Sequence, residues 1–262
     1  MLKGLYTAYT GMLNEQHRMD TLSNNLANAA TTGYKKEGAT SQAFSDLLAV
    51  KIKDTSEAPN TARKIGSMNM GVKIGENYTN YDQGSFKSTS NTYDLALSGA
   101  GFFAVEFTDK SGEVSTKYTR DGSFTLTEEG YLVTKDGDFV MGKSATNASG
   151  FIKLNPLSDS SIDKNGTIYQ NDVAVAQLQI TDFSDYNYLE HYGENYYQPV
   201  EGATLQNGNT KVFSGYLEMS NVQVVSEMVD MISTTRQYEA NQKIINAYDE
   251  TLEIAVNQLG RV

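Results

Sequence analysis

Few residues in this chain could do chemistry, and their spacing argues against most of it. There are two histidines, His17 and His191, and no cysteine. Disulfides, thiolate metal sites and cysteine nucleophiles are therefore excluded. His17 falls beside a helical seam, where a surface or interface role is the ordinary one. Ser161, Asp163, Asn165, Gly166 and Asp172 fall at positions resembling a calcium loop. The serine in first place, an aspartate where glutamate should close the loop, and the lack of flanking helices favour a hairpin turn at Asn165-Gly166 instead. Asp159, Asp163, Asp182 and Asp185 could pair as acid and base, but carboxylates in loops are far more often simply solvated. Tyr186, Tyr188, Tyr192, Tyr196 and Tyr197 form a dense cluster. As an aromatic platform it would make the chain a cell-wall glycan-binding module. As packing it belongs to the edge of a β region or to a subunit contact. No phosphate-binding glycine loop, metal-ligand helix motif or nucleophile elbow occurs. No catalytic, cofactor-binding or metal-binding residue is assigned, and the chain is not read as an enzyme.

The charge balance narrows the partners. With 21 basic and 32 acidic residues the formal net charge is −11. Nucleic-acid binding needs a basic face to neutralise phosphates, so it is not expected. No apolar run reaches the roughly 18 residues of a membrane span. The start, Met1-Leu2-Lys3-Gly4-Leu5-Tyr6, is soon interrupted by Asn14, Glu15 and Gln16, which does not fit a cleaved secretory signal.

The elements fall into three kinds of segment along the chain. From Leu2 to Ala29 the positions Leu2, Leu5, Tyr9, Met12, Gln16, Met19, Ser23 and Leu26 step by three and four, a heptad seam. Gly33 suits the exit from this helix. From Ser220 to Leu259 there is neither glycine nor proline. Ser220 and Gln223 have capping-box spacing. The seam there reads Val224, Met228, Met231, Thr235, Tyr238, Gln242, Ile245, Asp249, Leu252, Val256 and Leu259, with Gly260 as a stop. Such a helix would be roughly 60 Å long. Between them, Asp121-Gly122, Glu129-Gly130, Asp136-Gly137, Asn165-Gly166 and Asn207-Gly208 punctuate short runs of period two. The expected fold is mixed α and β. Long N- and C-terminal helices pair as a coiled coil, with a central antiparallel all-β domain of barrel or sandwich type. The boundaries read as 1–33 for the first axial helix, 34–70 for a connector, 71–217 for the β domain and 218–262 for the second axial helix.

A narrow seam covers one partner helix rather than filling a broad core. The polar members Gln16, Ser23, Thr235, Gln242 and Asp249 specify register and partner number at some cost in stability. The two ends therefore read as surfaces buried when copies pack together. Ser23-Asn24-Asn25-Leu26-Ala27-Asn28 puts three poor helix formers in five positions. Their amides are read as lateral hydrogen bonds between neighbouring subunits.

These segments also carry a resemblance. Gly11-Met12, Gln16, Met19-Asp20, Ser23 to Asn28 and Thr32-Gly33-Tyr34-Lys35 resemble the N-terminal signature of bacterial flagellar rod and hook proteins. Ser220-Asn221-Val222, Glu227-Met228, Met231-Ile232, Arg236, Tyr238-Glu239-Ala240-Asn241 and Lys243 are similar to their C-terminal signature. Gly99 to Val105 and Tyr118 to Phe124 resemble their β domain. The resemblance implies subunits stacked helically into a hollow axial tube, with the terminal helices as its inner wall. It implies copies of the chain and other rod or hook proteins as partners, with peptidoglycan or the bushing rings as a further contact left open. It implies export without a cleaved signal through the flagellar type III apparatus, to a basal-body location outside the cytoplasm. No cofactor and no membrane insertion are implied. A β region of this length leaves little room for a hook protein's outer domain, so the rod is favoured, the distal segment ahead of the proximal.

Overall fold

The computed structural model describes residues 2–51, 63–109, 112–144, 150–193, 195–206 and 210–259. The expected stop at Gly260 and the Asn207-Gly208 turn lie outside the described residues, as do the side chains of Leu2 and Leu259. The fold is mixed α and β, with a helix at each end and a mostly β centre. The chain divides into two compact units. One gathers Met1–Ala27, Glu37–Asn80 and Gln223–Val262, the other Asn28–Lys36 and Tyr81–Val222.

In the first unit, α1 spans Leu2–Ala27 and α2 spans Val224–Ile254, continued by a π-helical turn at Ala255–Leu259. Thirty-one residues of α-helix are about 46 Å of rise. The start of α2 corrects one expectation. Gln223 is the N-cap and makes no side-chain cap bond. Ser220 instead accepts from the Val222 N–H at 3.2 Å. The capping box does not form because residues just before it are committed to strand pairing at Tyr216–Glu218.

Residues expected as a connector form strands. Glu37–Ala43 pairs antiparallel with Val72–Thr79, and Leu47–Lys51 with Arg63–Met68. Much of the ribbon is exposed, so no core face imposes the alternation that marks a strand in sequence. Backbone pairing carries it instead. Its base packs on α1: a Cβ at Gly71 would collide with Thr10, and the Tyr6 and Phe44 rings are 6.5 Å apart.

In the second unit every strand pair among the described residues is antiparallel. The central strand, Phe102–Thr108, pairs with Val114–Thr119, Phe139–Val140 and Ile180–Phe183 along its length. Its first four residues are buried on both faces. Phe103 and Val105 join one apolar cluster with Leu95, Leu97, Phe124 and Ile152, while Phe102 and Ala104 join another with Tyr118, Phe183 and Tyr197. That explains the run of apolar residues at Gly-Phe-Phe-Ala-Val, since a strand buried on both sides loses its alternation. Distant segments close the unit: Lys211–Ser214 pairs with Leu95–Ser98, and Tyr216–Glu218 with Phe86–Ser88.

Candidate functional site

The two helices pack antiparallel, with partners that descend along α2 as they ascend along α1. Tyr248 lies over Gly4, where a Cβ would collide with its ring, and Asn241 lies over Gly11. Gln237 donates to the Glu15 carboxylate at 3.1 Å in the amide orientation that satisfies both groups. Thr235 Oγ1 is 3.6 Å from Met19 Sδ. Asn25 Nδ2 donates to Glu227 Oε2 at 3.3 Å. Glycines at the contact let the backbones approach.

The seam residues of α2 divide between two faces. Met231, Thr235, Tyr238 and Ile245 are partly buried. Val224, Met228, Gln242, Asp249, Leu252 and Val256 are exposed, Val256 at 71%. The alternate positions facing α1 are one residue earlier: Glu227, Thr234, Asn241 and Tyr248, of which Glu227 and Thr234 are fully buried. On α1, Leu5, Met12, Met19 and Leu26 are partly buried, while Tyr9, Gln16 and Ser23 are exposed. An apolar surface therefore remains outside the helix pair. It includes Tyr6, Tyr9 and Leu13 on α1, and Val225 at 77%, Val229 at 60% and Ile232 at 55% on α2. An open groove of about 380 Å³ runs past Val229, Ile232, Ser233, Arg236 and Ala240.

Within the asparagine motif the structure separates the three amides. Asn25 is fully buried and bonded within its own chain. Its Nδ2 donates to Glu37 O at 2.7 Å, and its Oδ1 accepts from Glu37 N at 3.0 Å. The side chain thus pairs with the first residue of the ribbon as a neighbouring strand would. Its expected role in lateral bonding does not hold, because its amide is spent inside the subunit. Asn28 accepts from Thr31 and shapes the turn after α1, while Ser23, Asn24 and Ala27 are exposed and Leu26 is partly buried. Asn25→Ala is expected to cost about 2–4 kcal/mol, since it strips partners from two partly buried backbone groups of Glu37 and from the Glu227 carboxylate. Urea denaturation followed by helical circular dichroism should show this. Ser23→Ala, two residues away, should stay within about 0.5 kcal/mol. Equal effects at the two positions would contradict the pairing.

In the second unit, residues from both terminal motifs meet at one buried carboxylate. Glu218 has a side chain that is 0% exposed, and its Oε1 is 2.6 Å from Lys35 Nζ. Gly84 N donates to the same oxygen at 3.0 Å. Its Oε2 is 3.3 Å from Arg120 Nη1, and Arg120 Nη2 donates to Gly99 O at 2.8 Å. Lys35 also donates to Asp82 O at 2.9 Å. Burial pulls the Lys35 ammonium below the usual lysine range, and Glu218 opposes that. Main-chain bonds complete the clamp. Gly33 N donates to Glu218 O at 2.8 Å, Thr32 bridges to Met219, and Asn221 Oδ1 accepts from Lys36 N at 2.7 Å. Gly33 has φ +71 and lies where a Cβ would strike the Asp121 backbone. Tyr34, Ser220 and Val222 are buried beside it. In the sequence Lys35 and Arg120 lie inside motifs, but no local signal marks Glu218 or the triad.

Known families describe the same segments. Three descriptions match in chain order: Flagella basal body rod protein over residues 5–35, Flagellar hook protein FlgE/F/G D1 domain over residues 96–170, and Flagellar basal body rod FlgEFG protein C-terminal over residues 214–259. The flagellar basal-body rod protein FlgG of Buchnera aphidicola subsp. Schizaphis graminum (strain Sg) is 33% identical over 263 residues, covering 97% of this chain and 98% of the relative. The flagellar basal-body rod protein FlgG of Bacillus subtilis (strain 168) is 34% identical over 278 residues, covering 98% and 99%. The chain belongs to the flagellar basal-body rod protein family. Proteins of this family are structural subunits rather than enzymes. The flagellar hook-basal body complex protein FlhO of Bacillus subtilis (strain 168) is 33% identical over 281 residues, covering 100% of each chain. The first matched segment contains most of α1 and the Lys35 limb of the clamp, and the last contains Glu218 and α2.

The remaining candidates resolve as packing and turns. Ser160–Ile162 pairs with Thr167–Gln170, and Gly166 N donates to Asp163 O at 2.9 Å across a hairpin turn. Asn171 and Asp172 carry positive φ of 52 and 63 in the next two-residue turn, the geometry that matches strand twist. Tyr197 is buried in the second apolar cluster, and its ring packs near Tyr81 and Phe102. Tyr186 donates to Asp182 at 2.8 Å, and burial with that carboxylate pushes its hydroxyl up to about 12. Tyr196 donates to Asp138 at 2.7 Å. The tyrosines thus split between core and edge, Tyr188 and Tyr192 being exposed, and do not present one platform. His17 is partly buried on α1, and the His191 ring lies 5.5 Å from that of Tyr197.

Proposed function

We propose that this chain is a subunit of the flagellar rod, of the distal segment, polymerising helically through its terminal helices into a hollow shaft that carries torque from motor to hook. The observation that carries the mode of assembly is the apolar surface left on both helices after they have paired. Val225, Val229, Ile232, Tyr6 and Tyr9 would be costly to leave in water along so long a stretch. The outward members of the seam, Val224, Met228, Gln242, Leu252 and Val256, contact neighbouring copies, while Met231, Thr235, Tyr238 and Ile245 serve the pair within the chain. Heptad spacing and regular antiparallel partners support a coiled coil. Clusters on both faces of Phe102–Thr108 support a barrel- or sandwich-like wrap of the β region. Assembly outside the cytoplasm follows export through the flagellar type III apparatus, and other rod and hook proteins are the remaining partners. The likeness to FlhO, a hook-basal body complex protein, keeps a proximal rod or hook-type position as the second reading.

The test is a double substitution on the outward face, Val229→Asp with Ile232→Asp. Each burial of an unpaired carboxylate costs several kcal/mol at every copy of the interface. Concentrated variant protein should form no tubes under the electron microscope, while its denaturation midpoint stays within error of the parent. Tubes of ordinary length and width would overturn the assignment of this face.

A further inference from the structure

The β-rich unit is joined by side chains from its first and last segments. Its two ends are far apart in sequence: Lys35 and Glu218 are separated by 183 positions. Three ionic side chains meet with almost no exposure, 1% for Lys35, 4% for Arg120 and 0% for Glu218. Two are cations and one is an anion. Without Glu218, two cations would remain beside the Asp82 and Gly99 carbonyls, the charge of Asp82 and the Phe102 ring, a set one anion short of its present balance. Burying uncompensated charge costs several kcal/mol per ion. Glu218 also belongs to a strap. Residues 211–214 pair with 95–98, residues 216–218 pair with 86–88, Met219 N donates to Ser85 O at 2.8 Å, and Asn221 Nδ2 donates to Asp82 O at 3.1 Å. A Cβ at Gly84 would overlap Met219 O, so the strap lies directly on this backbone.

We infer that the unit is held open by the paired cations Lys35 and Arg120 until the 211–221 strap delivers Glu218, making its closure a single charge-gated step that waits for the C-terminal part of the chain. Non-local pairing of this kind already delays closure, because loop entropy must be met before the contacts reward it. The two cations deepen that delay and make it conditional on one carboxylate. A chain whose strap has not arrived stays extended at residues 32–36 and 84–88. The inference concerns the folding of the isolated chain and stands apart from the rod reading.

The test is refolding of the full-length protein by pulsed hydrogen exchange. In the parent, amides of 33–36, 86–88 and 211–218 should gain protection in one phase. Glu218→Gln keeps the shape and removes the charge, and should slow that phase by about tenfold or more. Adding Lys35→Met to Glu218→Gln should restore most of the rate, because only one buried cation is then left. A packing role for these residues would make the second substitution add to the first instead. The inference is overturned if 33–36 and 86–88 are protected before 211–218, if Glu218→Gln refolds at the parent rate, or if Lys35→Met fails to rescue. Should Glu218→Gln not fold at all, folding of the double variant supports the gate and its failure to fold overturns it.

Discussion

Removing either terminal helix is expected to abolish polymerisation completely while leaving the β-rich unit folded. The cuts that achieve this are set by the clamp. Residues 28–36 and 219–222 belong to the β-rich unit although they adjoin the helices in sequence. Deleting 1–27, or 223–262, should therefore give a soluble protein with an unchanged cooperative transition for that unit, no tubes in electron micrographs, and cells that do not spread in soft agar. A cut that also removes Asn221 should behave differently. It takes away the acceptor for Lys36 N and a donor to Asp82 O, and should cost about 1–3 kcal/mol. Motile cells or ordinary tubes from either truncation would defeat the assembly reading. Equal stability for the two C-terminal cuts would defeat only the assignment of Asn221.

Glu218→Ala should be the most destabilising single substitution in the β-rich unit. It leaves two cations in the interior, and breaking a buried pair by removing one partner costs about 3–5 kcal/mol. Whole domains are stable by only about 5–15 kcal/mol, so the variant should be marginal or unfolded at 37 °C. Guanidinium denaturation of the purified variant against the parent measures this. Arg18→Ala supplies the contrast. Arg18 meets Glu15 at 3.3 Å, but its side chain is 39% exposed, and such pairs contribute about 0–1 kcal/mol. A Glu218→Ala loss no larger than that of Arg18→Ala would show that the triad does not hold the fold.

The helices show how far a local pattern reaches. Heptad spacing was legible because the chain keeps apolar or small residues in step from Leu2 to Leu26 and from Val224 onward. Which flank of α2 meets α1 was not legible. Apolar residues occur on several sides of α2: Val225, Met228 and Val229 lie next to the polar positions Glu227 and Thr234, which pack inward. A pattern rule places the apolar flank inside. In the single chain the small and polar flank pairs with Gly4, Gly11 and Asn25, and the apolar flank is left over. The pairing of Glu37–Ala43 with Val72–Thr79 was not legible for a related reason, since a two-stranded element with both faces largely exposed has no buried side to impress a period on its residues. Tyrosine density near Tyr186 to Tyr197 gave no hint that Tyr197 is core and Tyr192 surface, because strand direction alternates side chains between the two faces.

From sequence alone came the mixed architecture, helices at both ends, the absence of catalytic groupings in the pattern, and the signatures that match the rod family. Each rests on near neighbours: spacings of three, four and seven, turn dipeptides, and short motifs. Only the tertiary structure decided that Asn25 reads the Glu37 backbone and that Lys35, Arg120 and Glu218 share one buried site. Any of 32 acidic residues could have been the partner of Lys35. The choice among them is made by strand register at Phe86–Ser88 and Tyr216–Glu218, and register is a property of chain segments that meet only when the fold closes.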